Sequence, residues 1–65
     1  MNIDVNGAGR TTDSPTIDAL LRELQLLPAQ VAVEHNKTVL FRHEYSQTPI
    51  QEGDRIEIIR VVAGG

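Results

Sequence analysis

The chain has no cysteine and no tryptophan, a single phenylalanine and a single tyrosine, and only six basic residues against nine acidic ones. Without cysteine it forms no disulfide and offers no thiolate ligand or thiol nucleophile. Nucleic-acid binding calls for a basic stripe, but Arg10, Arg22, Lys37, Arg42, Arg55 and Arg60 are scattered through the sequence. Single strands also need aromatic stacking platforms, and Phe41 and Tyr45 are too few to supply them. A nucleic-acid role is therefore excluded. No apolar run approaches the ~20 residues that span a bilayer, and the N-terminus has no signal-peptide pattern. The expectation is a soluble, cytoplasmic protein with no membrane partner, monomeric when free.

Sixty-five residues make one domain, 1–65. A chain of this size buries about 60% of the surface its unfolded form exposes, enough for one core. It leaves no room for a deep substrate cleft, so the chain is not expected to be an enzyme in its own right.

Asn2-Ile3-Asp4-Val5-Asn6 alternates polar and apolar residues, the period of a strand with one buried face. Asn6-Gly7 is a hairpin signal, because both residues tolerate positive φ. Arg10 to Asp13 forms the return strand, and its lack of large apolar residues predicts an edge position. Ile17, Leu20, Leu21 and Leu24 fall at i, i+3, i+4 and i+7, which predicts an amphipathic helix over about 16–25. Ser14 or Thr16 caps its start, and Pro28 is expected to end it. Val31–His35 and Thr38–Phe41 predict a second hairpin about Asn36-Lys37. Arg42 to Gln47 has no clear period, and Gln51 to Asp54 is a turn. A final strand begins at Arg55. A helix between two hairpins followed by a strand predicts an α+β roll, the β-grasp, with a mixed sheet of four to five strands over one helix. The first and last strands then lie parallel at the centre, with Ile3, Val5, Ile56 and Ile58 facing the helix.

Little in this chain resembles a catalytic constellation. His35 and His43 are the only side chains that titrate near neutrality when unperturbed. A two-histidine metal site with Glu34 or Glu44 is weighed against solvated surface histidines, and the latter reading is preferred. Glu52 and Asp54 around Gly53 are read as turn chemistry. Gly7 and Gly9 lack the downstream Lys-Ser/Thr of a phosphate loop, so no cofactor or metal site is expected, and any ATP must be held by a partner. What remains is the end of the chain. Ile59 and Val61 alternate with the core-facing residues of the last strand and so point outward, as a docking patch would. Val62, Ala63, Gly64 and Gly65 follow as a flexible extension, and Gly64 and Gly65 can thread a narrow channel because they have no Cβ. A carboxylate delivered in this way, that of Gly65, can be adenylated by a partner and then converted to a thiocarboxylate. The bland reading is a frayed terminus.

Val5-Asn6-Gly7, Thr16-Ile17, Leu20-Leu21, Val31-Ala32-Val33-Glu34 with Asn36, Gly53-Asp54-Arg55-Ile56-Glu57-Ile58 and Val62-Ala63-Gly64-Gly65 together resemble the ubiquitin-like sulfur carriers, in particular those of thiamine biosynthesis. The resemblance covers essentially the whole chain. It implies that Gly65 is adenylated by an E1-like adenylyltransferase, receives sulfur from a donor enzyme, and as a thiocarboxylate supplies thiazole synthase. Lys37 and Phe41 depart from the family pattern, in which glycine and proline are common. Two alternatives stay open: the small subunit of molybdopterin synthase or a carrier of another sulfur pathway, and a β-grasp binding module with an inert tail.

Overall fold

The computed structural model describes residues 1–61. Six elements form the framework: β1 (Asn2–Val5), β2 (Ala8–Thr11), α1 (Ile17–Glu23), β3 (Val31–His35), β4 (Thr38–Leu40) and β5 (Arg55–Arg60). Single 3-10 turns cover Pro28–Gln30 and Arg42–Glu44. The sheet runs β2-β1-β5-β3-β4, with β1 and β5 parallel at its centre and the other neighbours antiparallel. This is the β-grasp order that the alternation of hairpins and helix predicts. No helix of the described residues is long and apolar enough to cross a membrane.

Ile3 and Ile56 from the central strands and Val31 and Val33 from β3 pack against Ile17, Leu20 and Leu21 of the helix. Val5, Leu24 and Ile58, expected among them, are only half-buried at the margin of this core. Tyr45 and Ile50 complete it from the long connection between β4 and β5. Tyr45 lies in the stretch that shows no period in the sequence. A 3-10 turn closes there, with Glu44 Oε1 accepting the Phe41 N–H at 2.8 Å, and this points the following ring inward.

Both hairpin turns use left-handed backbone at two successive positions, Asn6 (φ 53°) with Gly7 (φ 85°) and Asn36 (φ 50°) with Lys37 (φ 72°). Two positive φ values in a two-residue loop match the right-handed twist of the flanking strands. Lys37 adopts without glycine the geometry that glycine favours. The first return strand lies nearer the turn than the sequence implied, starting at Ala8 rather than Arg10, and it is the exposed edge that was expected.

The helix ends differently from its prediction. Thr16 is the N-cap, but its hydroxyl donates to Asp18 Oδ1 rather than accepting a backbone N–H. At the other end Gln25 takes φ 61°, the Leu26 N–H reaches Leu21 O at 2.8 Å and the Gln25 N–H reaches Arg22 O at 3.0 Å. This is a Schellman motif with glutamine in the place usually held by glycine. The helix therefore stops before Pro28, which instead opens the 3-10 turn leading into β3. The acid-first pair Asp18 and Arg22 forms, at 3.3 Å.

Glu23, in the last helical turn, anchors the strand-to-helix loop. It accepts hydrogen bonds from Thr12 Oγ1 at 2.6 Å and Ser14 Oγ at 2.7 Å, and pairs with Arg10 at 2.7 Å. The hydrogen bonds from Thr12, Ser14 and Arg10, with the Arg10 charge, outweigh partial burial and hold its carboxyl down at about 2, against an ordinary value of 4.5. A carboxyl depressed in the folded state stabilises the fold above its unfolded pKa and loses that contribution on protonation. Melting temperature is therefore expected to fall as pH drops from about 4.5 toward 2. Glu23→Gln should make that limb shallower, without removing it, in melts followed by circular dichroism, because Asp54 is also held below its ordinary value.

Candidate functional site

The last strand carries the chain toward the predicted site, and two asparagines clamp it from opposite sides. The side chain of Asn6 takes the place of a strand residue where β1 has ended. Its Oδ1 accepts the Ile58 N–H at 2.7 Å and its Nδ2 donates to Ile58 O at 3.1 Å. On the other side, Asn36 Oδ1 accepts the Arg55 N–H at 2.8 Å while its Nδ2 donates to Asp54 Oδ1 at 3.1 Å. In the sequence both asparagines read locally as turn residues. Their left-handed backbone is legible in Asn-Gly and Asn-Lys, but the reach of the amide across to β5 appears only once the strand order is known. Beyond the clamps β5 stays paired with β3, and the Val61 N–H donates to Gln30 O at 2.8 Å. Val62, Ala63, Gly64 and Gly65, the predicted tail and reactive terminus, lie outside the described residues.

Alternation along β5 turns Ile56 and Ile58 toward the helix and Ile59 and Val61 outward, as expected. Ile59 is 55% exposed and Val61 51%, too much for a group that serves the core. They do not stand alone. Ala32 of β3 is in register with Ile59, and Val39 (64% exposed) and Phe41 (68%) project from the β4 side of the same face. The Phe41 ring stacks on His43 at 5.9 Å with the planes 5° apart, which fixes its orientation at the surface. An apolar row thus crosses three strands and ends at Val61, the last described residue. Val39 and Phe41 are additions to the predicted patch. Their signal was the period-2 alternation of Thr38–Phe41, which hides Leu40 and exposes its neighbours.

On the helix side of the sheet, a groove of about 330 Å³ opens between the end of α1 and the second half of β5. Val5, Leu24, Leu26, Val31 and Ile58 form its walls, with Asn6 and Arg60 at the rim.

The polar chemistry of the domain lies at the opposite end of β5. Asp54 is 7% exposed and its carboxylate accepts from His35 Nε2 at 2.8 Å, Asn36 Nδ2 at 3.1 Å and the Gln51 N–H at 2.8 Å. Burial alone would raise its pKa, but the hydrogen bonds from His35, Gln51 and Asn36, with the charge of His35, hold it below the usual carboxylate value. This corrects two readings. His35 is a half-buried partner of Asp54 rather than a solvated histidine, and Asp54 is a buried anchor rather than ordinary turn decoration. Val61 lies seven positions beyond Asp54 along extended chain, roughly 23 Å away, so this pair sits at the opposite end of β5 from Val61. His43 is exposed and is engaged by Phe41. Among the described residues no group of three or more His, Cys, Asp or Glu side chains could hold a metal ion.

Comparison with known proteins agrees with this geometry. The ThiS family model matches residues 3–65. A crystal structure of the thiamine biosynthesis protein ThiS from Geobacter metallireducens superimposes with a TM-score of 0.84 at 35% identity, covering 100% of both chains. The sulfur carrier protein ThiS of Escherichia coli is 34% identical over 50 residues, 77% of this chain and 76% of that protein. A thiazole synthase from Magnetococcus marinus is 38% identical over 66 residues, which cover 100% of this chain but 20% of that protein. The chain thus spans about a fifth of the length of the thiazole synthase it matches. With the family model covering nearly all of its length and the fold shared end to end, the chain belongs to the ThiS family.

Proposed function

We propose that this chain is a sulfur carrier of thiamine biosynthesis whose working group is the α-carboxylate of Gly65. In this reading an E1-like adenylyltransferase holds ATP, and the carboxylate attacks the α-phosphorus with loss of pyrophosphate. A sulfide-level nucleophile from a sulfur-donor enzyme then attacks the acyl carbon, and AMP leaves with the electron pair of the C–O bond. The resulting thiocarboxylate passes its sulfur to thiazole synthase. The observation that carries the reading is the exposed apolar row on the outer sheet face, which ends at Val61, four residues before Gly65 in the sequence. A partner that docks on this row is well placed to receive the terminus. The relative that is itself named a thiazole synthase favours thiazole formation over a molybdopterin or other sulfur pathway.

The carrier would serve as a protein co-substrate: it contributes the acyl group of Gly65, while ATP, sulfur and catalytic side chains belong to partners. Incubation with the adenylyltransferase of its own organism and ATP is expected to raise the mass of the intact protein by one adenylyl group. Addition of a sulfur source should replace that with the increment of one oxygen exchanged for sulfur. An unchanged mass under both conditions would leave a binding module with an inert tail as the better reading.

A further inference from the structure

The outer sheet face holds one arrangement that the fold itself does not require. Glu34 of β3 and Glu57 of β5 stand directly opposite each other in antiparallel register. Both share the face of Ala32 and Ile59, two pairs further along the same ladder. Like charges directly opposite in a sheet are destabilising. The ion pairs of the described residues join Arg10 to Glu23, Arg22 to Asp18 and His35 to Asp54, and none involves Glu34 or Glu57. Arg55 lies on the same face but is in register with Asp4 on the far side of β5. Two carboxylates are therefore held side by side next to an apolar row made by Ile59, Val61, Val39 and Phe41.

We propose that Glu34 and Glu57 form the charged half of the docking face, and that its occupant is a protein surface with an arginine set among apolar side chains. This rests on the reading that the outer face docks the adenylyltransferase that receives the tail. A planar guanidinium can donate to two neighbouring carboxylates at once, and it is less strongly hydrated than an ammonium, which suits a site bordered by Ile59 and Phe41. The same charges argue against other occupants. Two copies meeting face to face would bring four carboxylates together, and the phosphates of a nucleic acid or an anionic membrane would be repelled. The repulsion within the free carrier is relieved in the complex, so the pair weakens the isolated fold and strengthens the encounter. Attraction of opposite charges also steers association in a salt-dependent way.

The test compares the wild-type chain, the Glu34→Gln/Glu57→Gln variant and Asp13→Asn, which removes charge at an exposed site remote from this face. Thermal melts and calorimetric titration against the adenylyltransferase of the same organism, without ATP, supply the two readouts. The double variant is expected to melt a few degrees higher than wild type and to bind at least tenfold more weakly. Wild-type affinity should fall with added salt more steeply than that of the variant, and Asp13→Asn should change neither property. A double variant that binds as tightly as wild type, or that melts no higher, overturns the inference. Wild-type binding weakened in the double variant but followed by no adenylyl mass would sustain this surface and refute the carrier reading. Adenylation with an unaffected double variant would do the reverse.

Discussion

Removal of Gly65 is expected to abolish adenylation while leaving the melting temperature where it was. The structural half of this expectation follows from where the core lies. Every core residue among those described falls between Ile3 and Ile56, and the partly buried residues around it reach no further than Ile58. The last backbone bond described is that from the Val61 N–H to Gln30 O. The functional half follows from reach. With the globule docked through its outer face, the shortened chain presents the carboxylate of Gly64 about 3.3 Å short of its target. A misplacement of about 1 Å can already cost on the order of 100-fold in rate, so a missing residue should take adenylation below detection. Intact-protein mass spectrometry after incubation with the adenylyltransferase and ATP reads the outcome, and a truncated chain that still gains the adenylyl mass would remove Gly65 from the site.

Where periodicity was strong, the sequence carried the fold. Ile17, Leu20 and Leu21 lie on one helical face and Ile3 and Ile56 on alternating strands, and burying both sets leaves few ways to connect two hairpins around a helix. Where geometry rested on one unusual backbone position, it was hidden. Gln25 ends the helix with φ 61°, a conformation no propensity would assign to glutamine, so Pro28 looked like the terminator. Tyr45 sits in a stretch with no period, because a 3-10 turn has neither the helical nor the strand repeat. The asparagine clamps and the His35–Asp54 pair join residues distant in sequence, and only the strand order brings them together. The outer face was legible in part. Ile59 and Val61 announce themselves in one strand, while their continuation through Ala32 to Val39 and Phe41 depends on the register between strands.

Leu20→Ala is expected to cost about 2–5 kcal/mol, because it removes three buried carbons and leaves a cavity that the surroundings fill incompletely. Leu20 is fully buried between Ile17, Leu21 and the central strands. A 65-residue chain carries about 3–10 kcal/mol of total stability, so the substitution consumes a large share of it. At about 4–8 °C per kcal/mol for a domain of this size, the melt followed by circular dichroism should move down by more than about 8 °C. Leu27→Ala is the informative counterpart, since it deletes the same atoms from a side chain that is 62% exposed. Its effect should stay within about 0.5 kcal/mol. Equal losses from the two leucines would mean that aliphatic content, rather than the packing of the helix on β1 and β5, decides stability. The pair also separates fold from function. Leu20 lies in the core on the helix side of the sheet, away from the outer face, so Leu20→Ala assayed well below its melting temperature should still accept the adenylyl group at the wild-type rate. A rate that falls even where the variant is fully folded would mean that the helix positions β5 for its partner as well as covering it.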